Sequence, residues 1–144
     1  MIRVEATVRI DRPAAEVFAF VAHAKNLPRW ADGVIWVEPL TEGEPDVGAR
    51  FRVDGSFLAV GHGAYGLVLF EPPWELAAAG DFGPLRLEDH FWFLDDHGTT
   101  EVTRRTRTRP RGGRRLLAPL IRRKLDRAVR SDLSRLKAAL ESGS

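Results

Sequence analysis

Apolar and polar residues alternate strictly at the amino terminus. The apolar positions are separated by single polar residues and comprise Ile2, Val4, Ala6, Val8 and Ile10. A period of two is typical of a strand that buries one face, so the sequence predicts a strand here.

Two short helices are predicted after this strand. Pro13 suits the first turn of a helix. Val17, Phe18 and Val21 would form the apolar face of this helix, which we expect to run for about ten residues. Residues 26–30 have the pattern of a second, shorter helical turn.

The residue pattern in the middle of the chain predicts only strands and turns. Strands are predicted over residues 34–40, 49–54, 57–71, 74–80, 85–94 and 100–109. The later segments are separated by Asp54-Gly55, Pro72-Pro73, residues 82–84 and His97-Gly98, which are short enough for hairpins. Because a parallel pairing needs a crossover of about a dozen residues or more, these connections predict an antiparallel meander. With the first strand, the sheet has seven strands.

The period changes to that of a helix near the carboxy terminus. Apolar residues recur at intervals of three or four and comprise Leu117, Ile121, Leu125, Val129, Leu133, Leu136 and Leu140. They fall within about 160° of arc on one amphipathic helix. Pro119 either occupies its first turn or kinks it. The sheet must cover its apolar face, and only this helix is long enough to do so, which leaves room for an apolar hollow between them.

Composition narrows the class of protein. The chain has 144 residues, 44% hydrophobic and 29% charged, as expected of one folded domain over residues 1–144. No apolar run is long enough to cross a membrane, and the amino terminus does not have the pattern of a secretory signal, so a cytoplasmic protein is expected. The absence of cysteine excludes disulfides and cysteine nucleophiles.

Charge is distributed unevenly. Residues 1–100 carry 8 Lys or Arg and 16 Asp or Glu, whereas residues 101–144 carry 14 and 4. The basic third fits a nucleic-acid or anionic-membrane partner, and it equally fits a cationic helix lying on an acidic body. The second interpretation is favoured because most basic residues fall on one side of the predicted helix.

Polar residues at positions expected to face inward are the best candidates for a site. If Leu87 and Phe91 point into the hollow, Asp89 shares their side, and Arg104 lies on the inner face of the last strand as its possible partner. A buried carboxylate is costly unless it is paired or protonated. Alternatively, a bulge or a slip of one residue turns both side chains to solvent. Asp132 lies within the apolar arc of the helix, where a structural pair with an arginine is expected rather than catalysis.

The sequence contains no motif for a metal site, an acyl-enzyme nucleophile or a nucleotide-binding site. The four histidines show none of the close pairings typical of a zinc site: His23, His62, His90 and His97. No nucleophile elbow, phosphate-binding glycine loop or dinucleotide motif occurs. We therefore expect no metal and no cofactor, and we assign no catalytic residue.

The strand predicted over residues 57–71 is largely apolar or glycine on both faces. One hypothesis is that a second copy of the chain covers its outer face to form a homodimer. The alternative is that Gly61, Gly63 and Gly66 mark bulges that bend the sheet around the helix.

Four stretches of the chain match a known family pattern: RPAAEVFAFVAHAKNLPRW at 12–30, VGARF at 47–51, FEPPWEL at 70–76 and the terminal DLSRLKAALES. With these stretches the chain resembles the START-like (SRPBCC) superfamily, and more closely its polyketide cyclase/dehydrase branch. The resemblance implies an α+β helix-grip fold, in which a seven-stranded antiparallel sheet curves around a long carboxy-terminal helix. It also implies a cavity for lipids, polyketides or other hydrophobic molecules.

Three functions follow as hypotheses. The first is binding of a hydrophobic small molecule in a pocket formed by Trp36, Phe51, Tyr65, Asp89, Phe91, Arg104, Leu117, Ile121 and Leu125. In that pocket, Trp36 and Tyr65 would supply aromatic walls and polar hydrogens. The second is a polyketide cyclase or dehydratase that uses an acid or base such as Asp89, His62 or Tyr65. The third is a ribosome-, RNA- or protein-binding module that uses the basic terminal third; DNA is not an expected partner.

Overall fold

The chain forms one antiparallel sheet with its helices on the concave side. The computed structural model describes residues 1–57, 60–83, 85–110 and 112–142. The strands are β1 (Ile2–Ile10), β2 (Val34–Pro39), β3 (Arg50–Phe57), β4 (Val60–Glu71), β5 (Glu75–Phe82), β6 (Leu85–Asp96) and β7 (Thr99–Arg109). The helices are α1 (Ala14–Ala22), α2 (Leu27–Trp30) and α3 (Ala118–Glu141), with single 3₁₀ segments at Ala24–Asn26 and Gly112–Leu117. The predicted helix-grip architecture is confirmed.

The strands are ordered β1-β7-β6-β5-β4-β3-β2. Strands β2 to β7 thus form the predicted meander, and β1 pairs with β7, so that β1 and β2 are the two edges. The hairpin predicted at Asp54-Gly55 is wrong, because β3 continues through these residues to Phe57. Residues 58–59, between β3 and β4, lie outside the described residues.

Irregular pairing occurs at two places along β4. Register shifts fall between Asp54 and Phe57 of β3, opposite Gly61, and between Leu67 and Leu69 of β4. Pairing is regular at Gly63, which is needed for a different reason: an added Cβ would lie 2.3 Å from Cδ1 of Phe82. The bulge hypothesis therefore fits the surroundings of Gly61 and does not explain Gly63.

Helix α3 packs its apolar face against the concave side of the sheet, principally near β1. The buried residues of this face are Leu125, Val129, Leu133, Leu136 and Leu140. The prediction that Leu117 begins this face is wrong: Leu117 ends the 3₁₀ segment and is 48% exposed. Pro119 lies in the first turn of α3, which is the first of the two alternatives. Among the described residues, no helix is long and apolar enough to span a bilayer.

Candidate functional site

A cavity of about 140 Å³ lies between the concave face of the sheet and the three helices. Most of its wall is apolar, and its larger apolar residues include Val21, Leu27, Val53, Leu67, Leu76, Phe82, Leu87, Phe91, Leu125 and Val129. Its polar side chains come from α2 and the following turn, β4, β6, β7 and α3. An engineered apolar cavity of similar size, about 150 Å³, binds benzene, so this space suits a guest of about one aromatic ring.

Five of the residues predicted to form the pocket line this cavity: Tyr65, Asp89, Phe91, Arg104 and Leu125. They are brought together by β4, β6, β7 and α3. Four other predicted residues, Trp36, Phe51, Leu117 and Ile121, are not part of the described cavity wall.

These four residues lie outside the cavity wall for different reasons. A register shift between Val34 and Trp36 directs Val34 into the cavity, while Trp36 is 44% exposed with the Arg52 guanidinium over its ring. Phe51 is buried behind Tyr65, and their ring centroids are 5.4 Å apart. Leu117 precedes α3 and is exposed, and Ile121 packs against the edge of the core one turn before Leu125.

Arg104 is the centre of a buried ion cluster in the cavity wall. Its Nε and Nη2 donate to the two carboxylate oxygens of Asp89, both at 2.9 Å, and its Nη1 donates to Oδ2 of Asp132 at 2.9 Å. The Thr106 hydroxyl also donates to Asp89. The pairing of Asp89 with Arg104 therefore agrees with the first sequence interpretation. The alternative, with both side chains in solvent, is wrong because pairing of β6 with β7 is regular throughout.

Asp132 joins this cluster to the loop that follows α2. Its Oδ1 accepts a hydrogen bond from the backbone N–H of Asp32 at 2.6 Å. Asp132 is buried and pairs with an arginine, as predicted. Asp132 therefore links α3 both to β7 and to the loop that leads into β2.

The surroundings of the cluster displace three pKa values. Burial raises the pKa of Asp132, an effect that Arg104 and the Asp32 amide oppose and the nearby charge of Asp89 reinforces. Burial raises the pKa of Tyr65, and the negative charge of Asp89 raises it further, so the phenol stays protonated at neutral pH. For Arg104, burial acts to lower the pKa, but Asp89 and Asp132 outweigh it and raise the pKa. The cluster thus holds one permanent cation between two carboxyl groups.

Trp30 lines the cavity and carries a hydrogen-bond donor without a partner. Its side chain is 2% exposed, and its indole Nε1 has no acceptor within the described structure. The ring packs edge-on against Phe91, with the Arg104 guanidinium 5.7 Å from its centroid. A buried N–H without an acceptor is unfavourable, and an acceptor on a bound molecule would remove that cost.

Trp30 was missed by sequence reasoning, which assigned the indole donor to Trp36. The sequence offered one signal, since Trp30 ends an apolar helical turn directly before a strand that borders the hollow. The histidines lie elsewhere among the described residues: His90 pairs with Glu75 and stacks on Trp92 on the outer face of the sheet, and His62 is exposed.

A scan against family models matches residues 1–141 to the family described as "Polyketide cyclase / dehydrase and lipid transport". The chain belongs to this family. The match covers nearly the whole chain and agrees with the START-like resemblance of the sequence. A search of curated proteins gave no significant match.

Solved structures of START-like proteins and aromatase/cyclases share the fold. The di-domain aromatase/cyclase BexL, from the BE-7585A biosynthetic pathway, has a TM-score of 0.80 and 21% identity over 98% of this chain and 47% of BexL. This chain therefore spans about half the length of BexL. A START superfamily protein from Mycobacterium smegmatis has a TM-score of 0.78 and 12% identity over 99% of both chains. The aromatase/cyclase ZhuI from Streptomyces sp. R1128 has a TM-score of 0.73 and 20% identity over 96% of this chain and 93% of ZhuI. At these identities the likeness concerns the fold.

Proposed function

We propose that the protein binds a small, mainly apolar molecule that carries an acceptor oxygen, within the cavity beneath α3. The observation that carries this proposal is the unpaired indole N–H of Trp30 in a mainly apolar wall, whose buried charged groups Asp89, Arg104 and Asp132 are paired with one another. Apolar walls favour burial of a hydrophobic guest at roughly 25 cal/mol per Å², and a few polar groups fix its orientation. Membership of the family supports a hydrophobic ligand.

The size of the cavity restricts the guest. About 140 Å³ fits a molecule of about one aromatic ring with a short substituent. The oxygen of such a guest would accept from Nε1 of Trp30, and the Tyr65 hydroxyl would offer a second polar contact. A carbonyl compound satisfies both the apolar wall and the unpaired donor.

The test uses two probes of nearly equal shape. Acetophenone carries a carbonyl oxygen, and cumene replaces that oxygen with a methyl group. Titration calorimetry on the wild type and on Trp30→Phe should show acetophenone binding weakened by about 0.5–1.5 kcal/mol in the variant, with cumene binding unchanged. The proposal is contradicted if neither probe binds the wild type, or if the variant loses the same binding free energy for both probes.

An aldol-type cyclase or dehydratase is a second candidate function. The observation that favours it is the protonated Tyr65 hydroxyl close to the negative charge of Asp89 within one apolar cavity. Tyr65 would donate a hydrogen bond to a carbonyl while Asp89 accepts a proton from the adjacent carbon. The resulting enolate carbon attacks a second carbonyl of the same molecule, whose C=O π bond opens to an alkoxide that takes the proton back from Asp89. Loss of a second α-proton together with that hydroxyl group, as water, then leaves an enone.

This second candidate is tested with a short linear diketone, followed by ultraviolet absorbance of the conjugated enone. The wild type should accelerate enone formation, and Tyr65→Phe and Asp89→Asn should each lower the rate by about 10²-fold or more. An equal rate in wild type and both variants would leave a binding role only, provided that acetophenone titration shows the variants still bind.

A further inference from the structure

The segment that leads into α3 carries apolar residues that the fold does not use. Leu116 is 87% exposed, and Leu117 and Leu120 are each 48% exposed. They belong to the 3₁₀ segment Gly112–Leu117 and the first turn of α3. Leucines at these positions contribute little to the core, although one of them was predicted to lie in it.

Basic residues surround these leucines. We define the basic apolar face as the exposed set Arg114, Arg115, Leu116, Leu117, Leu120, Arg123, Lys124 and Arg127. At 100° per residue, Leu120, Arg123, Lys124 and Arg127 lie within about 100° of arc on one side of α3. Apolar and cationic side chains therefore share one surface and are not segregated to opposite sides.

Within the described parts of the chain, the cations of this face have no ion-pair partner. The ion pairs of α3 there are Arg104–Asp132, Asp126–Arg130, Arg135–Asp32 and Lys137–Glu141, and none includes the five basic residues of the face. By contrast, arginines of the outer sheet surface have carboxylate partners, as in Arg105 with Glu5 and Arg107 with Glu88. The expectation that the basic third neutralises an acidic body therefore does not account for this segment.

We propose that the basic apolar face docks on an anionic lipid bilayer. Exposed leucines would enter the boundary between headgroups and acyl chains while the flanking arginines and lysine contact anionic headgroups. Arginine and lysine stems also bury apolar length while their charges remain at the interface. A surface that is both cationic and apolar matches an anionic bilayer better than a surface with only one of these properties.

RNA is the competing occupant, and the composition of the segment disfavours it. Binding of single-stranded RNA usually adds aromatic side chains on which bases stack. No aromatic residue follows Phe93 in the sequence, and exposed leucines offer no hydrogen bond to a base or phosphate. The bilayer is therefore the partner that uses every residue type present on the face.

The basic apolar face lies close to the cavity but contains none of the residues that line it. Leu120 precedes the cavity residue Leu125 by little more than one turn of α3. The start of β6 lies at the same end of the sheet, since Arg86 pairs with Arg109 just before the 3₁₀ segment. A bilayer at this face would therefore meet the end of the molecule where cavity residues Phe82 and Leu87 are placed.

The experiment is co-sedimentation of the full chain with vesicles in the absence of any cavity ligand. Vesicles of phosphatidylcholine alone are compared with vesicles that contain roughly a third phosphatidylglycerol. The protein should be retained on the anionic vesicles and released by high salt, which screens surface charge. Leu116→Ser/Leu120→Ser and Arg114→Gln/Arg115→Gln should each weaken the partition coefficient on the order of tenfold or more.

Matched controls separate this face from general surface properties. Leu94→Ser removes a leucine that is 61% exposed on the sheet, and Arg9→Gln/Arg52→Gln removes two charges from other exposed positions. Both controls should bind anionic vesicles like the wild type. Unchanged thermal midpoints would show that the variants fold.

Four outcomes would overturn the proposal. They are equal binding to neutral and anionic vesicles, full retention of the leucine variant, retention of RNA that depends on the arginines but not on the leucines, and a lipid-free dimer that the leucine variant converts to monomer. Each is distinguishable from failure of the cavity proposal, because the Trp30→Phe titration requires no lipid.

Discussion

At the scale of the residue, Arg104 shows how one side chain organises the site. Its planar guanidinium has a fixed fork of donors, so it holds both oxygens of Asp89 and one oxygen of Asp132 at the same time. A lysine could not reproduce this geometry. Since a buried ion pair costs desolvation, the main effect of the cluster is to place polar groups at fixed positions in an apolar cavity.

Removal of this cation should be strongly destabilising. Arg104→Met leaves two carboxyl groups without their buried partner, so the free energy of unfolding should fall by about 3–5 kcal/mol in urea denaturation. Arg107→Met is the matched control on the same strand, where a half-exposed pair with Glu88 is worth about 1 kcal/mol or less. Similar losses in the two variants would contradict the assigned role of Arg104.

Asp132→Asn should change how stability depends on pH. Because burial raises the pKa of Asp132 above 3.8, the folded state holds this proton more tightly than the unfolded state. The resulting stabilisation is complete below the unfolded pKa and is lost as pH rises through the folded pKa. The unfolding free energy of the wild type, minus that of the variant, should therefore fall as pH rises from about 3.5 and then level off.

The measurement is urea denaturation of both proteins at matched pH values. A difference that increases with pH would mean that the folded state favours the ionised carboxylate, opposite to the direction inferred here.

At the scale of the element, α3 has two parts that differ in burial. From Leu125 onwards its apolar stripe is buried against the sheet, and Leu136 is fully buried. Before Leu125 its one leucine, Leu120, is 48% exposed on the side that carries Arg123, Lys124 and Arg127. The same helix therefore closes the core with one part and presents the basic apolar face with the other.

The same Leu→Ala substitution, made in each of these two parts of α3, should distinguish them by its effect on stability. Leu136→Ala removes a fully buried side chain and should cost about 2–5 kcal/mol of unfolding free energy. Leu120→Ala, at a position that is 48% exposed, should cost less than about 1 kcal/mol. Chemical denaturation measures both, and comparable costs would mean that the first turn of α3 is packed in solution.

At the scale of the whole molecule, the sheet and the helices enclose a cavity that the core does not fill. Strands β6 and β7 supply the polar side chains Asp89, Arg104 and Thr106 to the wall, and α2 and α3 complete it with Trp30 and Asp132.

Filling the cavity should remove binding without unfolding the protein. Ala128 of α3 lines the cavity, and Ala128→Leu places additional methyl groups in it. We expect a thermal midpoint equal to or above that of the wild type, and loss of the midpoint increase that acetophenone produces in the wild type.

Ala138→Leu is the control, because Ala138 is exposed on the same helix. A retained acetophenone effect in Ala128→Leu would place the binding site elsewhere.

The fold was largely predictable because its signals are local. Alternation in β1, short connections between β2 and β7, and the helical period from Leu125 to Leu140 each follow from the geometry of one element. The inward position of Asp89 and Arg104 was also within reach, because regular pairing of β6 with β7 preserves the alternation of each strand.

The sequence by itself therefore determined the order of elements and the burial of most of α3, and it offered the pairing of Asp89 with Arg104 as one of two alternatives. The regular pairing of β6 with β7 decided between them. Only the tertiary structure decided that Trp30 supplies the indole of the cavity, since a single register shift in β2 turns Trp36 outward. It also joined Asp132 to Arg104 and left Leu116, Leu117 and Leu120 exposed. These outcomes depend on bulges, helix starts and packing between distant segments, and a periodic pattern along one segment contains no information about them.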